Sequence, residues 1–149
     1  LLSVLAGCAT QRPPPANPAA FWSGRLALQL QSRPPQNWST SFELQGSAAQ
    51  GELLLLSPIG TTLARLSWTP QSAQLEQGQE KTESSSLQSL SQRLTGTNLP
   101  IAALFDWLAG QATVVPGWHV DLSAHPQGRL TAQRHEPAPE AVLRIVLDR

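Results

Sequence analysis

From Phe21 onward the chain alternates apolar and polar residues with a period of two, which commits most of it to half-buried antiparallel strands. Leu26, Leu28 and Leu30 alternate with Arg25, Ala27, Gln29 and Gln31. Trp38, Thr40, Phe42 and Leu44 alternate with Ser39, Ser41, Glu43 and Gln45, and Arg33-Pro34-Pro35-Gln36 breaks the pattern between the two runs. A proline pair of that kind cannot continue a ladder and supplies the connection. Leu53 to Leu56 is apolar on both parities, which predicts a strand covered on both faces. After the turn Ser57-Pro58-Ile59-Gly60, the alternation resumes through Ala64, Leu66 and Trp68. Shorter, more polar strands are expected at 73–77 and 80–84, and further ones at 118–123, 129–134 and 142–147, about eight in all.

Between the two groups of strands the period becomes helical. Ser86 is placed to cap a short helix carrying Leu87, Leu90 and Leu94 and closed by Gly96. A second helix begins near Pro100 and ends at Gly110, with Ile101, Leu104, Phe105 and Leu108 at the spacing of one helical face. Strands, two helices and more strands form a mainly β fold of the α+β kind, an antiparallel sheet with helices laid on its concave side.

The 149 residues suit one domain. The formal net charge is zero, charged residues make up 13%, and there is one lysine, Lys81, beside nine scattered arginines. No basic block points to nucleic acid.

The first residues carry a separate signal. Leu1-Leu2-Ser3-Val4-Leu5-Ala6-Gly7-Cys8 reads as the end of a secretory signal peptide, too short to span a bilayer. Leu5-Ala6-Gly7-Cys8 resembles the bacterial lipobox, in which the cysteine thiol receives a diacylglycerol. Cys8 is the only cysteine, so no internal disulfide is available. From Ala9 to Ala20 the chain holds Pro13, Pro14, Pro15 and Pro18 and almost nothing large to bury, the composition of a semi-rigid tether. Ala9 stands directly after the cysteine, where an aspartate commonly signals inner-membrane retention, so the expected destination is the outer membrane, facing the periplasm. The organisation expected is a signal-peptide remnant at 1–7, a lipidated cysteine and tether at 8–20, and a single domain at 21–149.

Catalytic motifs are absent from the sequence. The three histidines, His119, His125 and His135, have no paired metal-ligand spacing and read as surface residues. No Gly-x-Ser-x-Gly elbow or Walker-type loop occurs, and Asp106 between Phe105 and Trp107 is expected to face solvent. No cofactor or metal is expected, and the chain does not read as an enzyme.

Several stretches together resemble the LolB family of outer-membrane lipoprotein receptors. They are Ser23-Gly24-Arg25-Leu26-Ala27, Gly51 to Thr61 with its Pro58-Ile59-Gly60 loop, Leu94-Thr95-Gly96-Thr97-Asn98-Leu99-Pro100-Ile101, Leu104 to Gly110, and Leu143 to Asp148. The resemblance runs from about Trp22 to the C-terminus. It implies an unclosed antiparallel β-barrel, a half-barrel with helices over the opening and a hydrophobic cavity for acyl chains. The function implied is acceptance of acylated lipoproteins from a periplasmic carrier of the LolA type and their insertion among outer-membrane phospholipids, without nucleotide hydrolysis, by a monomer. The cavity residues expected are Leu26, Leu28, Leu30, Trp38, Phe42, Leu44, Leu66, Leu104, Phe105 and Leu108, although periodicity alone reads them as ordinary core. Pro58, Ile59 and Gly60 are expected to form a membrane-insertion loop, the other reading of Ile59 being a tip folded back against a neighbour. Two rival functions stay open: a structural or assembly lipoprotein binding a protein through a sheet edge, and a lipid-active hydrolase, which would need a Ser-His pair in hydrogen-bond reach.

Overall fold

A computed structural model describes residues 20–148, so Cys8, the expected lipidation site, and nearly all of the Pro-rich stretch lie outside the described residues. Nine strands form one antiparallel sheet: β1 (Ala20–Leu30), β2 (Gln36–Gly46), β3 (Gly51–Leu56), β4 (Thr62–Trp68), β5 (Ala73–Gln77), β6 (Glu80–Ser84), β7 (Trp118–Asp121), β8 (Arg129–Arg134) and β9 (Ala141–Leu147). Each of the nine runs read from the sequence is a strand, one more than the tally of about eight, and the short polar run of β6 pairs along its whole length with β5. Two helices, α1 (Leu87–Thr95) and α2 (Ile101–Leu108), interrupt the meander between β6 and β7.

The strand order is β6-β5-β4-β3-β2-β1-β9-β8-β7. Consecutive strands pair as hairpins except β6 and β7, and among the described residues β9 returns beside β1, with Leu28 opposite Leu143. The outer strands β6 and β7 do not meet, so the barrel stays open. Gly24, in the Ser-Gly-Arg stretch, stands where β9 ends, and a Cβ there would lie 2.1 Å from the Val146 carbonyl oxygen. That close approach excludes any side chain at the position.

Period two becomes two faces. Leu26, Leu28 and Leu30 of β1 share one face with Phe42 and Leu44, Leu53 and Leu55, Leu66 and Trp68, Leu75, Leu130, and Leu143 and Ile145. The helices close over that face and add Leu90, Ile101, Leu104, Phe105, Trp107 and Leu108 to the same core. Ser86 caps α1 as expected, its Oγ accepting from the Ser89 amide at 3.1 Å, and Gly96 ends it in the left-handed conformation at φ 84°. Leu28 is fully buried at the centre of this core. Leu28→Ala should therefore lower stability by about 2–5 kcal/mol, because the rigid sheet cannot collapse around the void. Urea unfolding followed by tryptophan fluorescence measures it.

One expectation needs correction. Leu53 to Leu56 is not covered on both faces: Leu53 and Leu55 enter the core, while Leu54 and Leu56 sit half-buried on the other face. The sheet carries its helices on one side only, so the second apolar parity of β3 has no layer above it.

Candidate functional site

The core does not fill the whole opening. At the end of the sheet where β1 begins and β2 turns into β3, a cleft of about 930 Å³ enters between sheet and helices. Its sheet side comes from Ala20 and Trp22 of β1 and from Gly46, Ser47, Ala48 and Gln50 at the β2–β3 turn. Its helix side comes from Leu87 and Gln88 of α1, from Leu99 and Pro100, from Ile101, Ala102, Ala103, Phe105 and Asp106 of α2, and from Thr113 and Val115. The volume falls in the range of pockets that enclose an organic ligand, and the walls are mainly apolar with a few polar groups at the rim.

Aromatic rings shape the cleft. Phe105 meets Trp22 edge-on at 6.0 Å between ring centroids and Trp68 at 6.2 Å. These are favourable quadrupole geometries, so α2 is held to β1 and β4 through one side chain. The Trp68 indole N–H donates to the Ser47 carbonyl at 2.9 Å, fixing the turn at the rim. On the far side of α2, Trp107 packs against Trp118 of β7 at 6.1 Å and donates to the Thr113 carbonyl at 2.9 Å. Asp106 accepts from the Thr113 hydroxyl at 2.7 Å. The carboxylate thus ties the loop after α2 to the helix and stands at the rim, instead of facing open solvent.

Ten residues were expected to line a cavity, and the structure distributes them differently. Phe105 lines the cleft. Leu26, Leu28, Leu30, Phe42, Leu44, Leu66, Leu104 and Leu108 are packed against one another in the core, and Trp38 lies half-buried against it. The cleft residues that sequence reading missed, Trp22, Leu87, Leu99, Ile101 and Val115, share no single period. They come from the ends of elements, and only the β2–β3 turn and the helix connector bring them together.

That connector is built from buried hydroxyls. The Thr95 hydroxyl donates to the Thr97 carbonyl at 2.7 Å, and Ser91 reaches the carbonyls of Gln88 and Leu99. Arg134 of β8, 8% exposed, donates to the Thr97 hydroxyl and so hangs the connector from the far half of the sheet. His125, read from sequence as a surface residue, is half-buried, and its Nε2 lies 2.8 Å from the Leu108 carbonyl at the end of α2. His119 and His135 are exposed. The Asp121 carboxylate is held below its ordinary pKa by hydrogen bonds from the Ser123 side chain and backbone, on the outer strand β7 and away from the cleft. Among the described residues no Ser-His hydrogen bond occurs, no three His, Cys, Asp or Glu side chains gather as a metal site, and no helix is long and apolar enough to cross a membrane.

Ile59 is decided by the structure. It stands at the apex of the β3–β4 turn with 89% of its surface exposed, and Gly60 beside it takes φ 87°. The tip does not fold back.

Comparison with known proteins bears on all of this. The family described as Outer membrane lipoprotein LolB matches residues 21–138. The chain belongs to the LolB family. Among its relatives, the outer-membrane lipoprotein LolB of Shewanella loihica is 31% identical over 122 residues, covering 75% of this chain and 55% of that protein. The LolB of Ralstonia nicotianae is 31% identical over 140 residues, 85% of this chain and 65% of that protein. The LolB of Thiobacillus denitrificans is 33% identical over 112 residues, 70% of this chain and 59% of that protein. The chain thus spans a little over half the length of the LolB relatives it matches. The open antiparallel half-barrel with two helices over its concave face is the architecture that the resemblance implied.

Proposed function

We propose that this domain is the lipid-handling part of an outer-membrane lipoprotein receptor. In this reading it takes acylated lipoproteins from a LolA-type periplasmic carrier and releases their chains into the outer membrane, with no enzymatic step. The observation that carries the reading is the apolar cleft over Phe105, open to the outside yet walled by Trp22, Leu87, Leu99 and Ile101. Each methylene kept from water is worth about 0.8 kcal/mol, so such a cleft can hold an acyl chain, and a bilayer, which shields the whole chain, can draw it out. Without a nucleotide-binding loop the transfer runs downhill, from carrier to cleft to bilayer. Anchorage through Cys8 would hold the domain at its destination membrane, and Ile59 would dip into the membrane surface. The rival reading, a partner added to a sheet edge, has less support: β6 presents Glu80, Lys81 and Glu83, charges that discourage edge pairing.

A fluorescent fatty acid should bind the folded domain saturably, and an acylated lipoprotein should displace it. Val115→Glu, at a half-buried cleft position, should weaken that binding at least about tenfold, since a carboxylate has to be desolvated beside the chain. Circular dichroism establishes that the variant remains folded. If neither ligand binds the folded domain, the carrier reading is wrong.

A further inference from the structure

The uncovered face of β3 continues the exposed tip. Between Glu52 and Arg65 the chain has no charged residue. Leu55 pairs with Ala64 but Leu56 pairs with Thr62, so a β-bulge leaves Leu63 without a partner on β3. Bulges re-aim side chains, and Leu63 is 51% exposed beside half-buried Leu56. Ile59, Leu63 and Leu56 thus form one apolar surface on the side of the sheet away from the helices. Glu52, near the far end of β3, bonds to Arg65, which stands at the middle of β4 opposite Leu54.

The base of the tip pairs part of its own backbone. The Ser57 amide donates to the Thr61 carbonyl at 2.8 Å, the Gly60 amide to the Ser57 carbonyl at 2.9 Å, and the Thr61 amide to the Ser57 hydroxyl at 3.1 Å. Thr40 donates its hydroxyl to the Leu56 carbonyl at 2.6 Å, and Pro58 has no N–H. A segment entering a low-dielectric layer needs such internal pairing.

Chain length permits this surface to face the membrane. Ala20 is level with Gly46, which pairs with Gly51, so the described chain begins at the cleft end of β3. The tip is at the other end, roughly 25 Å away by strand rise plus the turn. Twelve residue steps separate Cys8 from Ala20, and they reach at most about 40 Å. A membrane anchor at Cys8 therefore allows the domain to stand on its tip, although its chain enters from the opposite end.

We infer that Ile59, Leu63 and Leu56 together dock on a phospholipid bilayer, with the domain standing tip-down and the cleft mouth turned away from the membrane, toward an arriving carrier. The inference rests on the tip-insertion and lipid-anchor readings above and adds the sheet face and the orientation. The lipidated full chain is reconstituted into vesicles containing brominated-chain phospholipid, with one polarity-sensitive fluorophore on Ile59→Cys, Leu63→Cys or Ala102→Cys. Ala102 is exposed at the cleft. Labels at 59 and 63 should be quenched at least about twofold more than the label at 102. Should Leu63→Cys fold poorly, exposed Thr62→Cys repeats the measurement. Quenching at 59 without quenching at 63 leaves the tip reading standing and overturns the docking face. Quenching at neither overturns both, as a protein partner for this surface would. Quenching at 102 equal to that at 63 overturns the orientation. Deleting residues 10–18 leaves a reach of about 10 Å, less than the distance to the tip. This should remove the quenching at 63 while fatty-acid uptake in detergent solution persists. Unchanged quenching overturns the tip-down pose.

Discussion

Ile59→Glu should leave folding and cargo acceptance nearly intact and slow the delivery of acylated lipoprotein to liposomes by roughly ten- to hundredfold. The magnitude follows from one aliphatic side chain, whose burial is worth about 1.5–3 kcal/mol. Folding is spared because Ile59 is 89% exposed and a Cβ at neighbouring Gly60 would meet nothing within 4 Å, so the tip has no packing to lose. Acceptance is spared because the cleft opens at the opposite end of β3. The two steps separate in one experiment: transfer from a loaded carrier to the domain is timed first, then release from the domain to vesicles. Delivery at the wild-type rate by the charged variant would remove any insertion role for Ile59.

Cys8→Ala should block lipidation outright and leave an unprocessed precursor, the largest effect expected of any single change in this chain. A multiply acylated cysteine anchors stably, whereas one exposed isoleucine does not. The domain without residues 1–8 should still take up a fatty-acid probe, because the cleft is made entirely from residues 20–115. Mass spectrometry of membrane-derived protein provides the direct test, and an unmodified Cys8 there would end the anchor reading.

These two effects meet in the geometry of β3. Its six residues hold the cleft rim at Gly51 and the exposed tip beyond Leu56 about 20 Å apart. A change at either end has little mechanical reason to disturb the other, since the strand between them is locked on both sides by β2 and β4. In the proposed reading, accepting and delivering cargo should therefore be separable by mutation.

The strands, the two helices and the caps of α1 were legible in local sequence. Alternation through Leu26, Leu28 and Leu30, a serine cap at Ser86 and glycine at Gly96 are local signals, set by the pleat, by orphan helix amides and by a positive φ. The sequence also marked the tip, because an isoleucine between proline and glycine has no neighbour in sequence to cover it. Tertiary structure alone decided which apolar residues were interior and which lined an opening. Leu28 and Phe105 look alike to any periodic analysis, yet one is sealed at the centre of the core and the other lies between Trp22 and Trp68 at the cleft. The difference depends on where the helix connector comes down on the sheet, and Arg134, Thr97 and Thr95 set that over long sequence separations. The second face of β3 was likewise undecidable from its four leucines. A run apolar on both parities states that both faces avoid water, but only the fold shows that one of them has no protein layer above it.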